Sequence, residues 1–272
     1  MAKKVKKKDG PIKETIKTVF YALLIAGAIR TLIFQPFWIP SGSMKSTLLI
    51  GDFLFVNKFA YGYSYASCPS YFGVDFCGFA KGSENRLFGA DPERGDVVVF
   101  KHPLSGEDYI KRVIGLPGDR IKVVDSLLYI NGTPVSRTPD GVFVETYERQ
   151  GPVGSTPRCS NGSPRLGEAC EKQRFTEVLP NGVSYSILDF GNYRADNFPE
   201  VTVPEGQFFF MGDNRDNSVD SRYSQTGPER GVGFVPRENI IGRADRIIFS
   251  SAGRSMLYFW TWRSDRFFKA VE

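Results

Sequence analysis

The chain has 272 residues, 41% of them hydrophobic, which is enough to bury one large core but too polar for a protein that crosses a membrane many times. Its net charge of +5 is concentrated in Lys3, Lys4, Lys6, Lys7 and Lys8. The remainder is nearly neutral, which excludes a nucleic-acid-binding domain with a basic face.

Residues 1–15 read as a basic cytoplasmic tail. Residues 16–38, from Ile16 to Trp38, are mostly apolar and have the length of one transmembrane helix. Arg30 lies towards one end, where it can snorkel to the interface, and Phe37 and Trp38 stand where an aromatic belt is expected. The lysines ahead of the segment predict a cytoplasmic N-terminus and an extracytoplasmic bulk, and so a single-pass protein of the inner (cytoplasmic) membrane. A cleavable secretory signal ending near Ala26-Gly27-Ala28 competes, but the apolar run continues past those small residues. A buried helix of a soluble core is opposed by the lysine flank.

Directly after the segment comes Ile39-Pro40-Ser41-Gly42-Ser43-Met44. Pro40 sets its own φ and pushes Ile39 towards an extended conformation, while Gly42 permits a bend, so Ser43 sits on a tight turn. Ordinary turn chemistry accounts for these residues as well. From Gly51 the pattern is strands and turns. Asp52–Lys58, Asp96–Lys101, Tyr109–Ile114, Arg120–Val124, Gln207–Met211 and Ile240–Ser250 are rich in β-branched or aromatic residues. Asn131-Gly132 and Asn181-Gly182 are hairpin signals. The fold class is therefore mainly β, with residues 39–272 forming one all-β domain.

Two loop-rich insertions interrupt it, at 62–94 and 149–172, each with a local cysteine pair: Cys68 and Cys77, then Cys159 and Cys170. Neither spacing suits zinc. Disulfides in an oxidising compartment and reduced buried thiols both fit. The tail from Met256 to Val271 carries Trp260, Trp262, Phe267 and Phe268, fitting either a helix on a membrane surface or a segment packed on the β-domain.

Two further stretches bear chemistry. On the Tyr109–Ile114 strand, Tyr109, Lys111 and Val113 point to one face and Ile110, Arg112 and Ile114 to the other. A lysine buried there would lose its charge more easily and could act as a general base; a solvated, charged lysine is the ordinary alternative. The polar loop Gly212 to Tyr223 has acidic spacings reminiscent of a Ca²⁺ loop, but it lacks the EF-hand glycine and terminal Glu and holds two arginines. It reads as a polar scaffold with no metal. His102, the one histidine, lies in a Lys-His-Pro turn and reads as a surface residue; a His-dependent hydrolase would need it, whereas a Ser-Lys pair would not.

Ile39 to Met44, then Tyr109-Ile110-Lys111-Arg112 with Gly115 to Asp119, then Gly212 to Ser218 with Asp220-Ser221-Arg222, resemble, in this order, the bacterial type I signal peptidases (leader peptidases). Gly51-Asp52 and Arg94 to Phe100 resemble further boxes of that family, and the likeness covers most of 15–135 and 200–250. It implies a signal-peptidase-like fold of coiled antiparallel sheets, with Ser43 as nucleophile and Lys111 as general base. It also implies that Ser218 orients the lysine, that the Ser41 hydroxyl and Ser43 N–H form the oxyanion hole, and that Asp220 and Arg222 support the site as an ion pair. Ile39, Leu48, Tyr109 and Ile110 would line shallow pockets for small residues, suiting cleavage after Ala-x-Ala. The implied partners are signal-peptide-bearing preproteins, membrane lipid and the protein export machinery, with no nucleic acid and no cofactor. The chain departs from the family at Ser46, which stands where a proline is common and follows Lys45; this is expected to alter only the pocket rim. It shows one span rather than two, and the 62–94 insertion has no counterpart. A non-catalytic anchored β-domain that binds envelope proteins is the alternative; a self-cleaving regulator would need a DNA-binding module that residues 1–38 cannot supply.

Overall fold

The computed structural model describes residues 10–32, 34–67, 70–71, 74–75, 86, 89–152, 154–253 and 258–272. Cys68 and Cys77 lie outside the described residues. One helix, α1 (Pro11–Leu32), precedes the strands. These are β1 (Phe34–Trp38), β2 (Asp52–Asn57), β3 (Ser70–Tyr71), β4 (Val74–Asp75), β5 (Val97–Lys101), β6 (Asp108–Gly115), β7 (Arg120–Val124) and β8 (Leu127–Ile130). There follow β9 (Thr133–Pro134), β10 (Ser136–Thr146), β11 (Ala169–Val178), β12 (Ser184–Leu188), β13 (Phe198–Thr202), β14 (Gln207–Met211), β15 (Val235–Pro236) and β16 (Ile240–Ser250).

The apolar segment is divided where the sequence suggested one span. Phe34–Trp38 is a strand, paired antiparallel with β2 so that Phe34 faces Asn57 and Trp38 faces Phe53. Pro36 is the physical reason: it cannot donate within a helix, and it drives the preceding residue to an extended conformation. The helix instead begins at Pro11 and takes in Lys13, Glu14 and Lys17. Among the described residues no helix is long and apolar enough to cross a membrane. Ile16, Val19, Phe20, Leu23, Leu24 and Ile25 of α1 are nevertheless exposed.

The strands form a seven-stranded sheet in the order β1-β2-β16-β5-β6-β14-β15, a four-stranded sheet β13-β7-β8-β9, a three-stranded sheet β10-β11-β12 and the small pair β3-β4. Ile121, Val123, Leu128 and Ile130 of the four-stranded sheet pack on Ile114, Phe209 and Met211 of the large one, joined by Tyr185 and Ile187 of the three-stranded sheet. On the other side of β6, Val113 packs with Val98, Phe100 and Phe210. β6 is thus covered on both faces beyond its first residues, so Lys111 and Arg112 are both desolvated although they point opposite ways.

The 149–172 insertion is the outer end of the arm made by β10 and β11, whose second strand already begins at Ala169. Cys159 and Cys170 are joined by a disulfide across it, with Cα atoms 5.1 Å apart. The described part of the tail is not an α-helix: it makes single 3₁₀ turns at Phe259–Thr261 and Ser264–Arg266 and packs on the large sheet. Trp262 lies edge-on to Phe249 with ring centroids 4.7 Å apart, and Arg266 Nη2 donates to Asp52 Oδ2 at 2.5 Å.

Candidate active site

The loop between β1 and β2 is closed at its neck by two backbone bonds, Ile39 N to Asp52 O at 2.9 Å and Gly51 N to Ile39 O at 3.0 Å. Inside it, Leu48 N donates to Met44 O at 2.8 Å. Met44 and Leu48 are fully buried in a cluster with Ile39, Leu54 and Val97, which pins the loop by its apolar residues and leaves its serines at the surface of the core.

Ser43 there meets Lys111 of β6. Lys111 Nζ lies 2.7 Å from Ser43 Oγ and donates to Ile110 O at 3.0 Å. Lys111 is 4% exposed and forms no ion pair among the described residues. Burial lowers its amine from the ordinary value to about 8, while Asp220 and Asp213, acting at a distance, pull the other way. Ser41 Oγ is 3.5 Å from Ser43 Oγ.

The polar loop after β14 forms the wall behind these groups. Asn214 N donates to Ser43 O at 3.0 Å and Asn214 Nδ2 to Gly42 O at 2.8 Å, fixing the peptide on each side of Ser43. Asp220 takes Arg222 Nε and Nη2, each at 2.9 Å, and accepts Gly212 N at 3.0 Å. Burial opposes ionisation of Asp220, but Arg222 outweighs it and holds the carboxyl below its usual value. Asp213 accepts Arg112 Nε at 2.9 Å, Arg112 Nη2 at 2.8 Å and Thr47 Oγ1 at 2.5 Å. Gly212 is a place of close approach: a Cβ there would lie 2.3 Å from Ser218 Oγ and 2.6 Å from Ser43 O.

The structure therefore brings Ser41, Ser43, Lys111, Ser218, Asp220 and Arg222 to one corner. Ser218 differs from expectation in one respect: its buried hydroxyl is turned to Asp220, whose charge it helps to hold, and it makes no hydrogen bond to Lys111 in this geometry. Ile39 and Leu48 share one apolar cluster with partly buried Ile110, whereas Tyr109 packs in the neighbouring one with Phe100 and Val98. Lys111 Nζ lies 5.6 Å from the centre of the Tyr109 ring.

His102 is not a surface residue, being only 2% exposed. Its Nδ1 accepts Leu104 N and Ser105 N, both at 3.2 Å, and its Nε2 lies 3.1 Å from Gly231 O. Both ring nitrogens are spent on backbone, which leaves none to act as a base on a serine. Among the described residues, Asp189, Asp196 and Asp216 bring carboxylate oxygens within 4.8 Å of one another. Arg137 already pairs with Asp189 at 2.7 Å, and burial together with the two neighbouring aspartates pushes the Asp216 carboxyl up to about 7.

Asn214 and Thr47 emerge only from the coordinates, although both stand inside or beside the motifs; an asparagine in a polar loop carries no signal of which carbonyl it will reach. Lys45, to which the sequence assigns no role, is buried, 4% exposed, and paired with Glu145.

The family model for "Signal peptidase, peptidase S26" matches residues 12–249. The chain is 40% identical over 253 residues to a signal peptidase I of Rickettsia typhi, covering 90% of this chain and 83% of that protein. It is 39% identical over 248 residues to a signal peptidase I of Rickettsia prowazekii, covering 88% and 81%. A crystal structure of a signal peptidase I from Enterococcus faecalis matches with 27% identity over 57% of this chain and 97% of that one, at a TM-score of 0.30.

Proposed function

The chain belongs to the signal peptidase, peptidase S26 family, and from that premise we propose that it is a serine endopeptidase that removes N-terminal signal peptides from exported preproteins. The observation that carries the catalytic assignment is the 2.7 Å approach of Lys111 Nζ to Ser43 Oγ, made by an amine that burial holds at about 8. An uncharged amine accepts the hydroxyl proton as Ser43 Oγ adds to the scissile carbonyl. The resulting oxyanion is met by Ser43 N–H and the Ser41 hydroxyl. Collapse expels the new N-terminus of the mature protein, which takes the proton from Lys111 and leaves an ester on Ser43. Water, deprotonated by the same amine, then hydrolyses that ester and frees the signal peptide. Asp220 with Arg222 keeps the wall behind Lys111 in place, and Ser218, in the same wall, would orient the amine. The half-buried Tyr109 and Ile110 would border the pockets for small residues before the cut, with Ile39 and Leu48 buried behind them.

The exposed apolar residues of α1 support a membrane anchor with the lysine-rich N-terminus in the cytoplasm and the β-domain outside the inner membrane. Lipid and the export machinery are its proposed neighbours there. Anchoring would raise the local concentration of a substrate whose own signal is still in the bilayer. The test is to incubate the purified full chain, Ser43→Ala and Lys111→Ala with a preprotein and to sequence the N-terminus of the product. Cleavage after a small residue by the unsubstituted chain alone is expected; cleavage by Ser43→Ala would refute the assignment.

A further inference from the structure

Lys45 stands two residues after Ser43, and its side chain folds back over the serine loop. A Cβ on Gly42 would lie 3.3 Å from Lys45 Cε and 3.5 Å from Lys45 Cδ. The ammonium donates to Glu145 Oε2 at 2.5 Å and to Gln150 Oε1 at 2.6 Å. Gln150 Nε2 donates to the same Glu145 oxygen at 2.8 Å, and Lys172 pairs with the other. Burial disfavours the charge on Glu145, but the two lysines outweigh it and hold the carboxyl below its ordinary value.

All of these partners belong to the β10–β11 arm or its outer loop, with Glu145 100 residues away from Lys45 in sequence. The arm touches the serine loop at a second point. A Cβ on Gly151 would lie 2.6 Å from Pro40 O, so only glycine lets the arm come this close. Its contacts fall at Pro40 and at Lys45, on either side of the Ser41–Met44 turn, while Asn214 grips the Gly42 and Ser43 carbonyls. The turn carrying the serine is clamped between two elements distant in sequence.

We infer that the Lys45–Glu145 ion pair is a positioning device by which the β10–β11 arm holds the Gly42–Ser43 backbone in register with Lys111. Neither residue touches the reacting atoms. Misplacing a nucleophile by a fraction of an ångström costs rate rather than affinity, so the effect belongs in kcat. The inference rests on the Ser43 and Lys111 assignment.

The test uses the full chain as Lys45→Met, Lys45→Arg, Glu145→Gln, the Lys45→Met/Glu145→Gln double variant and Gln150→Ala, with kcat and KM for preprotein cleavage and a thermal melt of each. Lys45→Met and Glu145→Gln are expected to lower kcat by roughly 10- to 100-fold with KM little changed. The double variant should be no worse than either single one, because the two act as a unit. Lys45→Arg, which keeps the ion pair, should restore most of the rate. If a charge-stranding variant fails to fold, Gln150→Ala removes one acceptor without stranding a charge and should show a smaller loss confined to kcat. Unchanged kcat in the folded variants, or a loss confined to KM, overturns the inference. Ser43→Ala separates the two levels: if it cleaves, the underlying assignment fails; if it is dead while Lys45→Met and Glu145→Gln run at full rate, only the positioning role fails.

Discussion

Lys111 and Arg112 are neighbours on β6, point to opposite faces, and are 4% and 1% exposed. Arg112 is matched in full: Asp213 receives two of its N–H groups, at 2.9 and 2.8 Å, and Gly95 O receives a third at 2.7 Å. Burial works against its charge, yet Asp213 more than restores it, and the guanidinium holds its proton more tightly than in water. Lys111 has one hydroxyl and one carbonyl, and its amine falls to about 8. Two cations share one strand and near-equal burial and differ in whether a carboxylate faces them. The matched one is scaffold, and the unmatched one can lose its proton at a useful pH.

The largest effect should come from removing the unmatched partner. Ser43→Ala or Lys111→Ala is expected to lower kcat by about 10⁴-fold or more, read on preprotein cleavage. Lys111→Arg should be as inactive, since arginine cannot give up its proton. Next comes the matched side. Asp213→Asn leaves a buried guanidinium without its counter-charge and should cost about 3–5 kcal/mol of stability by denaturant titration. Lys111→Met should do the reverse. The folded-state amine is held at about 8, against the ordinary lysine value of 10.5. The unfolded chain therefore binds more protons between those values, and stability rises with pH across that window. Below it the lysine carries a penalty of up to about 3 kcal/mol, which methionine lacks, so the variant should be the more stable at neutral pH. The smallest effect is Ser218→Ala, for which kcat should fall by roughly 10- to 100-fold with the melting temperature unchanged. An unaltered rate would remove Ser218 from the account.

Much of this comparison was legible in sequence because its signals are local. The alternation around Lys111, the strand boundaries of β7, β14 and β16, and the Pro-Ser-Gly-Ser turn lie within a few residues of the groups they control. Pro36 was equally local, yet the length of the apolar run hid it, and the helix stops before it. His102 looked exposed beside Pro103, because nothing nearby says that Gly231 will cover its ring. The Lys45–Glu145 pair was out of reach for the same reason, as was Arg266 on Asp52: a residue's neighbours across a sheet leave no mark in its own neighbourhood. Burial on both faces of β6 is likewise a property of the assembled sheets, and it decides the chemistry of Lys111.

The most direct test of the central claim is to follow that amine itself. The full chain would be labelled with ¹³Cε-lysine, the Lys111 resonance assigned by its loss in Lys111→Met, and its shift titrated with pH beside the pH dependence of kcat/KM. A Lys111 titration near pH 8, with kcat/KM rising through the same midpoint, is the predicted result. Titration at the ordinary lysine value of 10.5, with kcat/KM indifferent to pH near 8, would contradict the account.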